Sequence, residues 1–139
     1  MHFIKESLLT AADVCSINAE VLEDEKTVEI KEYVYKKFTN GKKGTPVWEI
    51  LTNDVSNYDP NGWSALSDFP YKGKVYVFFD DEDLTFIFDN IKELVLALAE
   101  CIGFVFYVTD VNCSFLLCHN DHDYLIGAGD IRGWEYFKT

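Results

Sequence analysis

One run in this chain concentrates side chains capable of chemistry. Cys118-His119-Asn120-Asp121-His122-Asp123 places a thiol, two imidazoles and two carboxylates within six residues, the donor types that zinc selects. Spacing argues against a closed metal site, because the only other histidine is His2 and no second ligand group stands at a recognisable distance along the chain. On an alternating strand Cys118 and His119 point to opposite faces. Adjacent residues are also badly placed to share a proton across a nucleophilic site. A polar turn between two strands accounts better for the run, since short polar side chains satisfy local backbone groups.

A second cluster, Asp80-Asp81-Glu82-Asp83, has the oxygen ligands of a calcium site but not the internal glycine or the distal glutamate of a calcium loop. Gly127-Ala128-Gly129 lacks the third glycine of a dinucleotide fingerprint, and no lysine sits where a phosphate loop needs one. Close backbone packing or a bulge explains those glycines. Arg132 is the only arginine in the sequence and reads as a plain surface residue, with stacking beside Gly133-Trp134 or pairing with an acid as the alternative.

These residues have to be positioned by the elements around them. Ile91, Leu94, Val95, Leu98, Cys101 and Ile102 follow the spacing of one helix face. Asn90 can accept from the Glu93 N–H and Glu93 can reach back, as in a capping box, while Gly103 supplies a stop. Phe104 to Thr109 is aromatic and β-branched without alternation, the mark of a strand covered on both faces. Asp110 to Ser114 turns the chain into a return strand, Phe115 to His119, and Tyr124 to Gly129 completes a meander. Val75 to Phe79 and Leu84 to Phe88 form a further hairpin around the Asp80–Asp83 turn, the second arm being compatible with helix as well.

Upstream, residues 3 to 22 carry apolar residues suited to one or two helical pieces with a break between Asp13 and Asn18. Glu23-Asp24-Glu25 reads as a solvated hinge, and Thr27 as the cap of a helix to Phe38 with Ile30, Tyr33, Val34 and Phe38 inward. Residues 40 to 46 are loop, Val47 to Leu51 a short apolar segment with Trp48, and residues 52 to 73 an ordered loop with one helical turn at Trp63 to Ser67. A connection this long points mildly to function. The expected fold is α+β, a single domain over residues 1–139, with a helical part at 1–38 and a sheet-forming part at 75–130. The sheet is expected to be mainly antiparallel, of about four to six strands packed against helices.

Charge narrows the functional classes. The chain carries 24 acids and 12 bases, a net of −12. From Val75 to Asp130 there are eleven acids and one base, Lys92, so that segment alone carries −10. Such a field repels nucleic acid and anionic membrane and steers basic partners inward. No apolar run approaches the roughly 18 residues that span a bilayer. The start, Met1-His2-Phe3-Ile4-Lys5-Glu6, lacks the apolar stretch of a signal peptide. Cysteines at 15, 101, 113 and 118 show no paired short spacing, which fits reduced thiols and a cytoplasmic location.

The runs VYVFFD (Val75 to Asp80), ECIGFVFYVTD (Glu100 to Asp110) and LLCHNDHDYLIGAG (Leu116 to Gly129) resemble an uncharacterised family of small acidic bacterial proteins. These are similar in build to immunity proteins, which neutralise a toxin by binding it. That likeness is one of size and charge. The −10 segment, with no assembled catalytic set in the sequence, leads to the expectation of a non-enzymatic binding protein of the immunity type that neutralises a basic partner through an acidic face and needs no cofactor. The candidate contact residues are Asp80, Asp81, Glu82, Asp83, His119, Asp121, His122, Asp123 and Tyr124, provided both acidic turns lie at one end of the sheet. The alternative is a small metal-dependent hydrolase using His119 or His122 with Asp121, Asp123 and the Asp80 turn.

Overall fold

The computed structural model describes residues 3–101 and 103–137; Met1, His2 and Ile102, which the sequence reading used, lie outside them. The described residues form four α-helices and one seven-stranded, wholly antiparallel sheet. In chain order these are α1 (Phe3–Val14), β1 (Ala19–Glu23), α2 (Glu25–Phe38), β2 (Val55–Tyr58), α3 (Gly62–Ala65), β3 (Val75–Phe78), β4 (Leu84–Phe88), α4 (Ile91–Leu98), β5 (Phe106–Thr109), β6 (Phe115–His119) and β7 (Tyr124–Gly129). Across the sheet the order is β1-β4-β3-β5-β6-β7-β2.

The α+β architecture agrees with the expected class, with one strand more than the expected range. Both edge strands come from segments read otherwise. β1 lies in a stretch read as helical, and β2 in the stretch read as loop. Edge strands face solvent along much of their length, so neither carries the buried alternation that marks a strand. In β2, Val55, Ser56 and Tyr58 are all exposed.

The central strands show no alternation because both faces of the sheet are covered. One face packs Val75, Val77, Phe86, Phe88, Phe106, Val108, Phe115 and Leu117 against Leu8 of α1 and Ile91, Leu94 and Leu98 of α4. The other sets Phe78, Tyr107, Leu116, Cys118 and Ile126 against Val34 and Phe38 of α2. Each fully buried Phe or Leu here adds about 1.5–3 kcal/mol. The segment from α2 to β2 thus carries the chain from one edge of the sheet to the other, across the second face.

Local details correct two cap assignments. Asn90 Oδ1 does accept from the Glu93 N–H at 2.9 Å, but the Glu93 carboxylate does not reach back, and its Oε1 is buried without a partner among the described residues. Thr27 lies inside α2, which starts at Glu25. Its buried hydroxyl instead bonds the Thr85 hydroxyl at 2.8 Å and the Leu22 carbonyl at 3.3 Å, tying α2 to β4. Tyr33, expected inward, is exposed. No described helix is long and apolar enough to cross a membrane.

Candidate functional site: an acidic end of the sheet

Register decides where the acidic turns lie. Phe78 of β3 is opposite Tyr107 of β5, and Phe106 of β5 is opposite His119 of β6. β3 and β6 therefore run parallel to each other, and the turns that follow them, 79–83 and 120–123, leave the sheet at the same end. The start of β5 separates the two turns. Glu23 of β1 is opposite Leu84, and Tyr58 of β2 is opposite Tyr124, so the carboxylates of Glu23, Asp24 and Asp59 belong to this end as well.

Asp80 anchors the first turn from within. Its Oδ1 accepts the Val47 N–H at 2.8 Å, and the Tyr107 hydroxyl donates to both of its oxygens at 2.9 Å. The same phenol oxygen accepts the Trp48 N–H at 3.0 Å. Asp80 and Tyr107 together hold the short 3-10 turn Val47–Glu49 against the sheet and set Trp48 beside the acidic turns. Burial pushes the Asp80 carboxyl above the usual carboxylate range, with the donated hydrogen bonds from Val47 and Tyr107 acting against it. Burial likewise drives the Tyr107 phenol far upward.

Lys31 of α2 is the counterweight that a count over 75–130 misses. Its ammonium donates to the Glu82 carbonyl at 3.0 Å and the Asp80 carbonyl at 3.4 Å, and lies 3.9 Å from Asp83 Oδ1. Burial lowers its pKa, while the four carboxylates of the turn raise it. Asp83 and the turn's carbonyls are thus engaged inside the protein, whereas Asp81 is exposed without an ion-pair partner among the described residues.

The second turn is organised by Asn120, which is buried. Its Oδ1 accepts the N–H groups of His122 and Tyr124, both at 3.0 Å, and Asp123 adopts a left-handed φ of 64° that Asp tolerates better than most residues. His119 is buried at 7% exposure, with Nε2 2.9 Å from the Asp59 carbonyl. His122 stands on the surface, its Nε2 3.8 Å from Asp121 Oδ1, edge-on to the Trp48 ring at 5.7 Å. Tyr124 is exposed and makes the same kind of contact with Tyr58 at 5.6 Å.

The candidate residues fall into two clefts that share Asp121. The first, about 540 Å³, is bordered by Asp80, Asp81, Glu82, Asp121 and His122 together with Trp48, Glu49 and Pro46. The second, about 420 Å³, is lined by His119, Asp121 and Asp123 together with the apolar Trp63, Phe104 and Phe106. Tyr124 lies outside both, and so does Asp83. Trp48, Glu49 and Lys31 are the contributors that the sequence reading did not assign. They are brought in from 30 to 50 residues upstream, and only the uncommon Trp48 carried any local signal.

Carboxylates facing an indole suit an ammonium or guanidinium group, through ion pairing and the attraction of a cation to the ring face. Nucleophilic chemistry has less support. Cys118 is fully buried on the opposite face of the sheet from His119, and burial pushes its thiol well up. The Cys101 thiol points at the Ser7 and Ala97 carbonyls and is also raised by burial, far from the thiolate that reactivity requires. His119 and His122 border different clefts, and among the described residues no three His, Cys, Asp or Glu side chains converge to hold a metal ion. No protein family, curated protein or solved structure matches this chain.

Proposed function

We propose that this chain is a non-enzymatic binding protein that captures a basic protein partner at the acidic end of its sheet, in the manner of an immunity-type inhibitor. One observation carries the reading: two acidic turns from distant parts of the chain border a single cleft of about 540 Å³ that also holds Trp48 and His122. Asp81, Glu82 and Asp121 would pair with lysine or arginine side chains of the partner. Trp48 and Tyr124 would supply the aromatic anchors from which binding energy is usually drawn. Part of Asp80, Asp83 and His119 is already committed to internal hydrogen bonds and ion pairing, so these three support the face instead of meeting the partner.

The test is capture from the native host on the immobilised chain at low and high salt, in parallel with Asp81→Lys/Asp121→Lys. A partner that is held at low salt, released at high salt and lost by the double variant is the expected result. A partner held equally by both proteins and at both salts refutes the reading.

A further inference from the structure

The sheet has two edges, and they are built differently. β1 carries Glu20 and Glu23 within its five residues, and Lys5 of α1 pairs with Glu23. Charge on an edge strand discourages another strand from adding to it. β2, Val55-Ser-Asn-Tyr58, carries none.

Its outward backbone groups can be assigned from the ladder. The Asp59 N–H donates to the Asp123 carbonyl at 2.7 Å, in register with Asn57 opposite Leu125 and Val55 opposite Gly127. Inward pairing alternates along an antiparallel strand, so Val55 and Asn57 bond towards β7 while Ser56 and Tyr58 turn their N–H and C=O groups out. Among the described residues, no backbone partner outside the sheet meets them. Residues 135–137 cross the face of β2 and β7, not this edge: Asn57 Nδ2 donates to the Tyr136 carbonyl at 2.8 Å, and the Phe137 ring fills the space over Gly127.

On the opposite face, a shallow groove of about 440 Å³ runs beside this edge, with Trp48, Glu49, Asp54, His122 and Tyr124 along it. An added strand would lie about 4.8 Å from β2, and its alternate side chains would stand next to that groove. Glu49 and Asp54 there call for cations.

We infer that the free edge of β2 receives an extended segment of the basic partner as an eighth strand, with lysine or arginine at alternate positions reaching Glu49 and Asp54 beside Trp48. This rests on the basic-partner reading above and adds the mode of docking. A second copy of the chain is the poorer occupant, because edge-to-edge pairing would bring together two molecules each at −12.

The probe is a short peptide alternating lysine and valine, compared at low salt with its alternately N-methylated form and with a glutamate–valine counterpart. Amide exchange and chemical shifts of the full chain are followed, and Ser56→Pro removes the outward donor at a position where an edge strand tolerates proline. Pairing slows exchange at Ser56 and Tyr58, and loss of two hydrogen bonds on N-methylation weakens binding by about tenfold. Should Ser56→Pro fail to fold, the N-methylated peptide decides alone. Shifts at Asp81, Asp121 and Trp48 with no protection of Ser56 or Tyr58 overturn strand addition and leave the basic-partner reading standing. Absence of any binding by the lysine peptide, or equal binding of the glutamate peptide, overturns both. Self-association abolished by Ser56→Pro overturns the inference in favour of a second copy.

Discussion

The two ends of the sheet are both acidic, yet they use their carboxylates differently. At the end formed by the 110–114 turn, Asp110 is buried, and its two oxygens take the Ser114 N–H at 2.7 Å and the Ser114 hydroxyl. Lys37 caps the Asn112 and Cys113 carbonyls at 2.9 and 3.1 Å, and Asp130 faces Arg132 at 3.3 Å. At the other end Asp80 plays the role of Asp110 and Lys31 that of Lys37. Beyond those, Asp81 and Asp121 stand exposed around a cleft with an indole in its wall. The 110–114 turn closes its charge within the fold, while the two turns at the other end hold a surplus outward. Acidity alone therefore says little, and what separates a turn from a binding face is how much of its charge the fold itself uses.

The sharpest way to break this comparison is to remove Asp80. Asp80→Ala strands the Val47 N–H and the Tyr107 hydroxyl, and each unsatisfied buried donor costs about 1–3 kcal/mol. Chemical denaturation should show a loss of about 2–4 kcal/mol, with Trp48 fluorescence shifting as its 3-10 turn comes free. An unchanged midpoint would mean that the turn is held by something else.

Asp110→Ala, at the closed end, strands one backbone N–H and one hydroxyl that reaches solvent more readily. The expected loss by the same measurement is smaller, about 1–3 kcal/mol, and Trp48 should not respond. A Trp48 shift in this variant would contradict the independence of the two ends.

Protonation sharpens the contrast without moving an atom. Asp80 titrates higher in the folded protein than in the unfolded chain, because burial disfavours its charge. Between the two values the folded state binds the extra proton, so acidification favours folding through this group. That contribution is fully present below the unfolded value of about 3.9 and is lost as pH rises through the folded value. Asp80→Asn keeps an acceptor for Val47 and Tyr107 but cannot titrate. The melting temperature of the wild type relative to Asp80→Asn should therefore rise as the pH is lowered from neutral, and a constant difference would contradict the buried-carboxylate assignment.

The smallest effect on stability belongs to the surplus charges. Asp81→Lys/Asp121→Lys touches no internal hydrogen bond and relieves repulsion between neighbouring acids. Thermal melting should be unchanged or raised, by no more than about 1 kcal/mol. A clear loss of stability would show that these carboxylates serve the fold.

Much of this arrangement was legible residue by residue. The bounds of β4, β6 and β7 match the sequence reading because buried apolar runs end there at turn-forming residues. The start of helix α4 was legible from its face and its Asn90 cap, but the helix ends at Leu98 and not at Gly103, which does not take up a left-handed φ. The edge strands were not, since β2 reads as polar loop until Leu125 and Gly127 of β7 pair with it. Thr27 was misplaced as a cap because its true partner, Thr85, is 58 residues away. Both acidic turns were legible as turns, but their common end follows from β5 lying between β3 and β6, a matter of strand order that local pattern does not encode. The same holds for Lys31 and Trp48, whose roles exist only once α2 and the Val47–Glu49 turn are packed on the sheet.

The most direct test of a cation-binding face is a backbone amide titration of the folded chain with a short oligoarginine at low and at high salt. If the surplus charge at one end forms that face, shifts gather at Asp81, Glu82, Asp121, His122 and the Trp48 indole, and they vanish at high salt. Shifts spread evenly over both ends, or centred on Asp110 and Asp130, would contradict it.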